Sequence, residues 1–186
     1  YPEWYLVDAV GLLVSAGVSA LFGISMNTLP AVLLLVALAV YDAISVYKTK
    51  HMIALADSVV EAKMPILLVF PMKWSYRYED ETNLMDPKRK RESLFMGLGD
   101  VIIPGILILS IATFLSPVGG VRLFGFIYPP VAVALFALAG MLAGWGALMF
   151  FVIKGKAHAG LPPINSGTIL GYIIGHLLIY GSIVFW

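Results

Sequence analysis

Apolar residues arrive along this chain in long blocks separated by short polar breaks. Five blocks, near Leu6–Ile24, Leu29–Tyr47, Leu94–Leu115, Pro130–Ile153 and Ile164–Trp186, are long enough or nearly so to cross a hydrocarbon core as helices of roughly 20 residues. No run of alternating ten-residue segments marks a membrane barrel. The pattern predicts an all-α polytopic membrane protein with five transmembrane helices. Residues 1–47 hold two of them, residues 48–93 form a connector, and residues 94–186 hold the other three.

The connector has its own pattern. Met52, Ile53, Ala56, Val59 and Val60 share a helical face, with Asp57, Glu61 and Lys63 elsewhere, which predicts an amphipathic helix along the membrane interface. PILLVFP, residues 65–71, is bounded by prolines and too short to span, so it reads as a strand or a buried connector. Residues 73–93 are the one extended polar stretch and read as a loop. In the first block the small residues Gly11, Ser15, Ala16, Gly17, Ser19, Ala20 and Gly23 permit close helix approach. Pro30 suits the start of the second helix.

Composition strengthens the membrane reading. Of 186 residues, 60% are hydrophobic and 12% charged, with mean hydropathy +0.92, where a soluble domain carries about a quarter charged. The absence of cysteine removes disulfides, thiolate metal sites and a cysteine nucleophile. Nine of the twelve basic residues lie in 48–93, two more are Lys154 and Lys156, and the last is Arg122. Alternating crossings put the first two groups on one face and Arg122 on the other. By the positive-inside rule the connector is cytoplasmic and the C-terminus external. The chain opens on Tyr1, with Trp4 and Tyr5 suited to a membrane boundary, as expected of the C-terminal part of a longer protein.

Against this apolar background two carboxylates stand out. Of eleven acidic residues, only Asp42, in LLLVALAVYDAISVY, and Asp100, in GLGDVIIPGILIL, sit well inside an apolar block. Counted from Tyr47 and Leu94 at 1.5 Å per residue, both fall about 7–9 Å from the same boundary. Intramembrane carboxylates cost several kcal/mol to insert, about 2.5–3.5 on translocon scales, and mark function by default. Two of them a few ångströms apart share one proton. One then acts as base on water while its protonated partner polarises a carbonyl. Asp8 is the rival carboxylate, read as a boundary residue.

Other residues frame this pair. Gly97 and Gly99 flank Leu98 and leave room for a peptide beside Asp100. Tyr41 adjoins Asp42, to donate a hydrogen bond, cover the site or merely fill the bundle. In KAHAGLPPINSGTILGY, Gly160, Pro162 and Pro163 break any helix before the last block, offering backbone groups to an extended substrate, or else form a plain turn with Asn165 or Ser166 as N-cap. His51 and His158 are interfacial and His176 is a packing residue. No HExxH or other metal spacing occurs, so neither a metal nor another cofactor is called for.

Taken together, Tyr41-Asp42, Gly97-Leu98-Gly99-Asp100 and the Leu161-Pro162 segment, in that order, resemble the presenilin and signal peptide peptidase family of intramembrane aspartyl proteases, in particular its archaeal-type members. The resemblance covers essentially the whole chain and implies the last five helices of a nine-helix fold. It implies that Asp42 and Asp100 are catalytic, with Tyr41, Gly97, Leu98, Gly99, Gly160, Leu161 and Pro162 lining the substrate. Where the family reads Pro-Ala-Leu, this chain reads Ala159-Gly160-Leu161, so Leu161 carries over directly. A cytoplasmic connector matches the presenilin branch. The partners implied are a substrate's transmembrane helix and the lipid bilayer, not nucleic acid, with a homo-oligomer left open. A proton- or cation-conducting transporter using the same two carboxylates is the alternative, and a non-catalytic scaffold is a third reading.

Overall fold

The structure is a computed structural model that describes residues 4–46, 67–71, 93–153 and 159–181. The expected amphipathic helix of the connector, the polar stretch 73–92, His51, His158 and the basic residues other than Arg122 lie outside the described residues. In chain order the elements are α1 (Trp4–Ser25), α2 (Thr28–Ile44), β1 (Leu67–Pro71), β2 (Ser93–Gly97), α3 (Gly99–Phe114), α4 (Pro129–Ile153) and α5 (Leu161–Tyr180).

Local chemistry sets the helix ends. Asn27 caps α2, its side chain accepting from the Thr28 N–H at 2.7 Å, and Pro30 sits in the first turn, where its missing N–H costs nothing. At the far end of α5, Gly181 takes the left-handed conformation (φ 71°) and its N–H closes on the Leu177 carbonyl, a regular glycine cap.

The all-α expectation is corrected to mostly helical. β1 pairs antiparallel with β2, Leu67 opposite Gly97 and Pro71 opposite Ser93. PILLVFP thus contributes a strand over its last five residues, and Leu94–Gly97, expected as the opening of the third helix, is the partner strand. A short apolar run fits either state by pattern alone, and only pairing with a distant segment decides it.

α3 lies at the centre, in contact with α1, α2, α4 and α5. Ile106, Leu107 and Ile111 of this helix and its C-cap Leu115 pack with Ala31 and Leu35 of α2, Ala132, Val133 and Ala137 of α4, and Tyr172 and Ile179 of α5. Two serines tie α1 and its exit to α3: Ser19 Oγ donates to the Ile102 carbonyl at 3.1 Å, and Ser110 Oγ to the Met26 carbonyl at 2.6 Å. Replacing Ser110 by Ala should lower stability by only about 0.6 kcal/mol, the average for interhelical hydrogen bonds in a membrane bundle; thermal unfolding in detergent measures it.

The tightest pairing joins α4 to α5. Gly140 and Gly144 on α4 face Gly167 and Gly171 on α5, each pair spaced by four, and Gly175, four further on, lies against the Phe136 side chain. A Cβ at Gly140 or Gly167 would overlap the other's carbonyl, one at Gly171 would overlap that of Phe136, and one at Gly144 would overlap that of Pro163. The helices therefore meet backbone to backbone, as small-residue seams allow.

Among the described residues many large apolar side chains face outward; Leu13 is 74% exposed and Leu21 66%. Of the five expected spans, two, Tyr5–Gly23 and Pro129–Val152, are long and apolar enough to cross a membrane by length and composition; Thr28–Ile44 and Gly99–Phe114 are shorter apolar helices.

Candidate active site

Asp42 occupies the last turn of α2, on the buried stripe Thr28, Ala31, Leu35 and Asp42, and is only 3% exposed. Asp100 lies in the first turn of α3. The chain enters β2 before α3, so Asp100 is the second residue of its helix and not six residues along one. The conclusion that both carboxylates share one level survives this correction, because each sits at the end of its own helix. They are near enough to interact electrostatically.

Between them runs a single dipeptide. The Leu161 N–H donates to Asp42 Oδ2 at 3.0 Å. Gly160 lies against Asp100, so that a Cβ there would come 2.9 Å from Oδ2. One backbone step thus bonds one carboxyl and, beside the other, leaves too little room for a side chain. Gly160 is the N-cap of α5, and Leu161 with Pro162 opens the helix. The expected helix break is corrected accordingly. Pro162 and Pro163 sit in the first turn, where proline starts a helix, and the Gly160-Leu161 corner precedes it. Asn165 and Ser166 are not caps; Ser166 Oγ donates back to the Pro163 carbonyl.

The GLGD segment is packed on one side and open on the other. Leu98 (7% exposed) is buried with Met96, Leu148 and Ile164, and its carbonyl accepts from the Val101 and Ile102 N–H groups. A Cβ at Gly97 would be in ordinary contact with Asp100 Oδ2, at 3.8 Å, and one at Gly99 would meet nothing within 4 Å. Among the described residues the open space is therefore at Gly99, while Gly97 and Gly160 border the Asp100 carboxyl. Pro104 further along α3 removes the N–H that would bond the Asp100 carbonyl. Gly105 follows, so close to α1 that a Cβ would press on Ser19 Oγ.

Other candidates fall apart from this cluster. Tyr41 is 70% exposed beside buried Asp42, so the two neighbours face different surroundings and Tyr41 does not fill the bundle among the described residues. Asp8 is half-buried in the second turn of α1. His176 is buried between Tyr172 and Tyr180, with ring centroids 5.8 and 4.8 Å away, as a packing residue would be. One residue escaped the sequence reading: Asn165, taken there only as a cap, is fully buried and reaches across to α2, donating from Nδ2 to the Leu35 carbonyl at 2.9 Å.

Two carboxyls of an apolar helical bundle thus flank one backbone corner, an arrangement that an aspartyl protease also needs. The comparison with protein families agrees: the model of the family described as signal-peptide peptidase, presenilin aspartyl protease matches residues 1–181, and the chain belongs to that family. A solved structure of a presenilin family intramembrane aspartate protease is similar to it at 39% sequence identity and TM-score 0.60, over 96% of this chain and 54% of that one. The chain thus spans about half the length of this relative. No curated protein matches it. The transporter reading gains no support from these comparisons.

Proposed function

We propose that this chain carries the catalytic pair of an intramembrane aspartyl protease, with Asp42 and Asp100 as the catalytic residues. The observation that carries the reading is the Gly160-Leu161 corner lying against both carboxyls. A substrate backbone needs the same approach. In the reaction the ionised carboxyl of the pair takes a proton from a water held between them, and the resulting hydroxide adds to the carbonyl carbon of the scissile peptide. The protonated carboxyl gives its proton to the carbonyl oxygen. Collapse of the tetrahedral intermediate breaks the C–N bond; the leaving nitrogen takes a proton from one carboxyl, and a hydroxyl of the intermediate returns a proton to the other, restoring the pair. Neither a metal nor another cofactor enters.

The substrate is a single-span membrane helix that enters laterally and unwinds near the pair. In the described sheet β1 and β2 each keep one edge unpaired, and an extended segment can add there. Tyr41, Gly97, Leu98, Gly99 and Pro162 complete the lining. In this reading all five helices span the bilayer, the connector 48–93 is cytoplasmic and the C-terminus external, and the chain divides at residues 47 and 93.

The test is hydrolysis of a labelled single-span peptide by the full-length protein in liposomes, with products identified by mass spectrometry. Cleavage within the span supports the proposal; proton or cation flux without cleavage overturns it in favour of transport. Under single-turnover conditions the rate should be bell-shaped in pH. It falls on the acid side as the base becomes protonated and on the alkaline side as the shared proton is lost, both arms belonging to the pair.

A further inference from the structure

Asn165 is the odd residue of α5. It is 0% exposed, and its Oδ1 is buried without a hydrogen-bond partner. Burying an amide this way is unfavourable compared with an apolar side chain of the same shape. Its Nδ2 nonetheless crosses to the Leu35 carbonyl on α2.

The position of that bond is informative. Leu35 lies two helical turns before Asp42 on the same buried stripe of α2. Asn165 lies one turn after Leu161 on α5. Since α5 begins where α2 ends, the two bonds run side by side along an antiparallel helix pair: Leu161 to Asp42 at the end, Asn165 to Leu35 one step inward. The outer bond belongs to the site; the inner one fixes the register in which the outer forms. Gly160, where a Cβ would crowd Asp100, directly precedes Leu161.

We infer that Asn165 is a positioning residue that, by clasping the Leu35 carbonyl, sets the register of α5 on α2 and so holds the Gly160-Leu161 corner against the two aspartates. It touches neither carboxyl itself. The kinetic consequence rests on the protease reading, whereas the structural one does not. A catalytic corner displaced by about 1 Å costs on the order of 100-fold in rate, while the overall bundle, held by the glycine seam and the α3 core, stays folded.

Two substitutions test this in the full-length protein in detergent or liposomes. Asn165→Leu is close in shape, cannot donate, and removes the unpaired Oδ1; Asn165→Ala is the second variant should leucine overfill the site. Both are expected to lower kcat by about 10- to 100-fold with KM within about twofold of wild type, and Asn165→Leu to unfold at the wild-type temperature or above. The independent readout is amide hydrogen exchange. Pro162 and Pro163 have no N–H, so in a peptide that begins two residues before Gly160 and ends at Pro163 the amides that retain label are those of Gly160 and Leu161. Both variants should exchange there faster than wild type. Wild-type kcat together with wild-type exchange overturns the inference and leaves Asn165 a packing residue. If the wild-type protein cleaves nothing, the protease reading fails, and exchange alone decides the clasp: faster in the variants supports it, unchanged refutes it.

Discussion

Asp42→Asn and Asp100→Asn should each reduce cleavage of a single-span substrate by at least about 10³-fold, because members of one catalytic unit fail together and not by halves. The substitutions are nearly isosteric, so the fold survives them. An asparagine at position 42 keeps an oxygen for the Leu161 N–H that now bonds Oδ2, and Asp100 is only partly buried. Unfolding temperatures should stay within a few degrees of wild type, separating lost chemistry from lost structure. Asp8→Asn, on α1 and outside the described cluster, should remain close to wild type. Single-turnover hydrolysis followed by mass spectrometry is the measurement. Persistent cleavage in either of the first two variants removes that aspartate from the reaction.

Gly167→Leu should be the most damaging change outside the pair. A Cβ at Gly167 would overlap the Gly140 carbonyl and come within 3.1 and 3.2 Å of Gly144 Cα and N. These are backbone atoms of a regular helix and cannot turn aside, so α4 and α5 must move apart. Overpacking of this kind costs about 1–3 kcal/mol. Since α5 carries the Gly160-Leu161 corner on its first turn, the same movement should lower activity by roughly 100-fold. Gly146 on α4 is the control. A Cβ there meets nothing within 4 Å, so Gly146→Ala should be neutral or stabilise by up to about 1 kcal/mol through helix propensity. Thermal unfolding of both variants in detergent compares them, and equal midpoints would refute the seam.

These residues also mark how much the sequence could convey. The two aspartates were legible because a carboxylate in an apolar block is conspicuous and because both sit at the same end of their blocks. The Gly160–Pro163 segment was legible as an interruption near that end. Its contact with both carboxyls was not, since contact depends on how α5 lies on α2 and α3. The strand at Leu94–Gly97 was hidden because LFMG fits helix and strand equally, and its partner lies beyond a long connector. The α4–α5 seam left a signal that went unread: Gly140 and Gly144, and Gly167, Gly171 and Gly175, recur every four residues. Asn165 gave the opposite case. Near a helix start an asparagine looks like a cap, and only the packed structure turns its side chain towards Leu35.

The two helices that bear the aspartates are also the two short ones. α2 has 17 residues and α3 has 16, about 26 and 24 Å at 1.5 Å per residue, against a hydrocarbon core of about 30 Å. By contrast α1 has 22 residues and α4 has 25. In the proposed arrangement, where both cross the membrane, the bilayer meets such short segments by thinning around them, drawing its headgroups inward at the helix ends where Asp42 and Asp100 stand. Hydrolysis needs water, and lipid denies it; a dimple in the membrane beside these two helix ends would bring the reagent to the carboxyls without a channel through the protein.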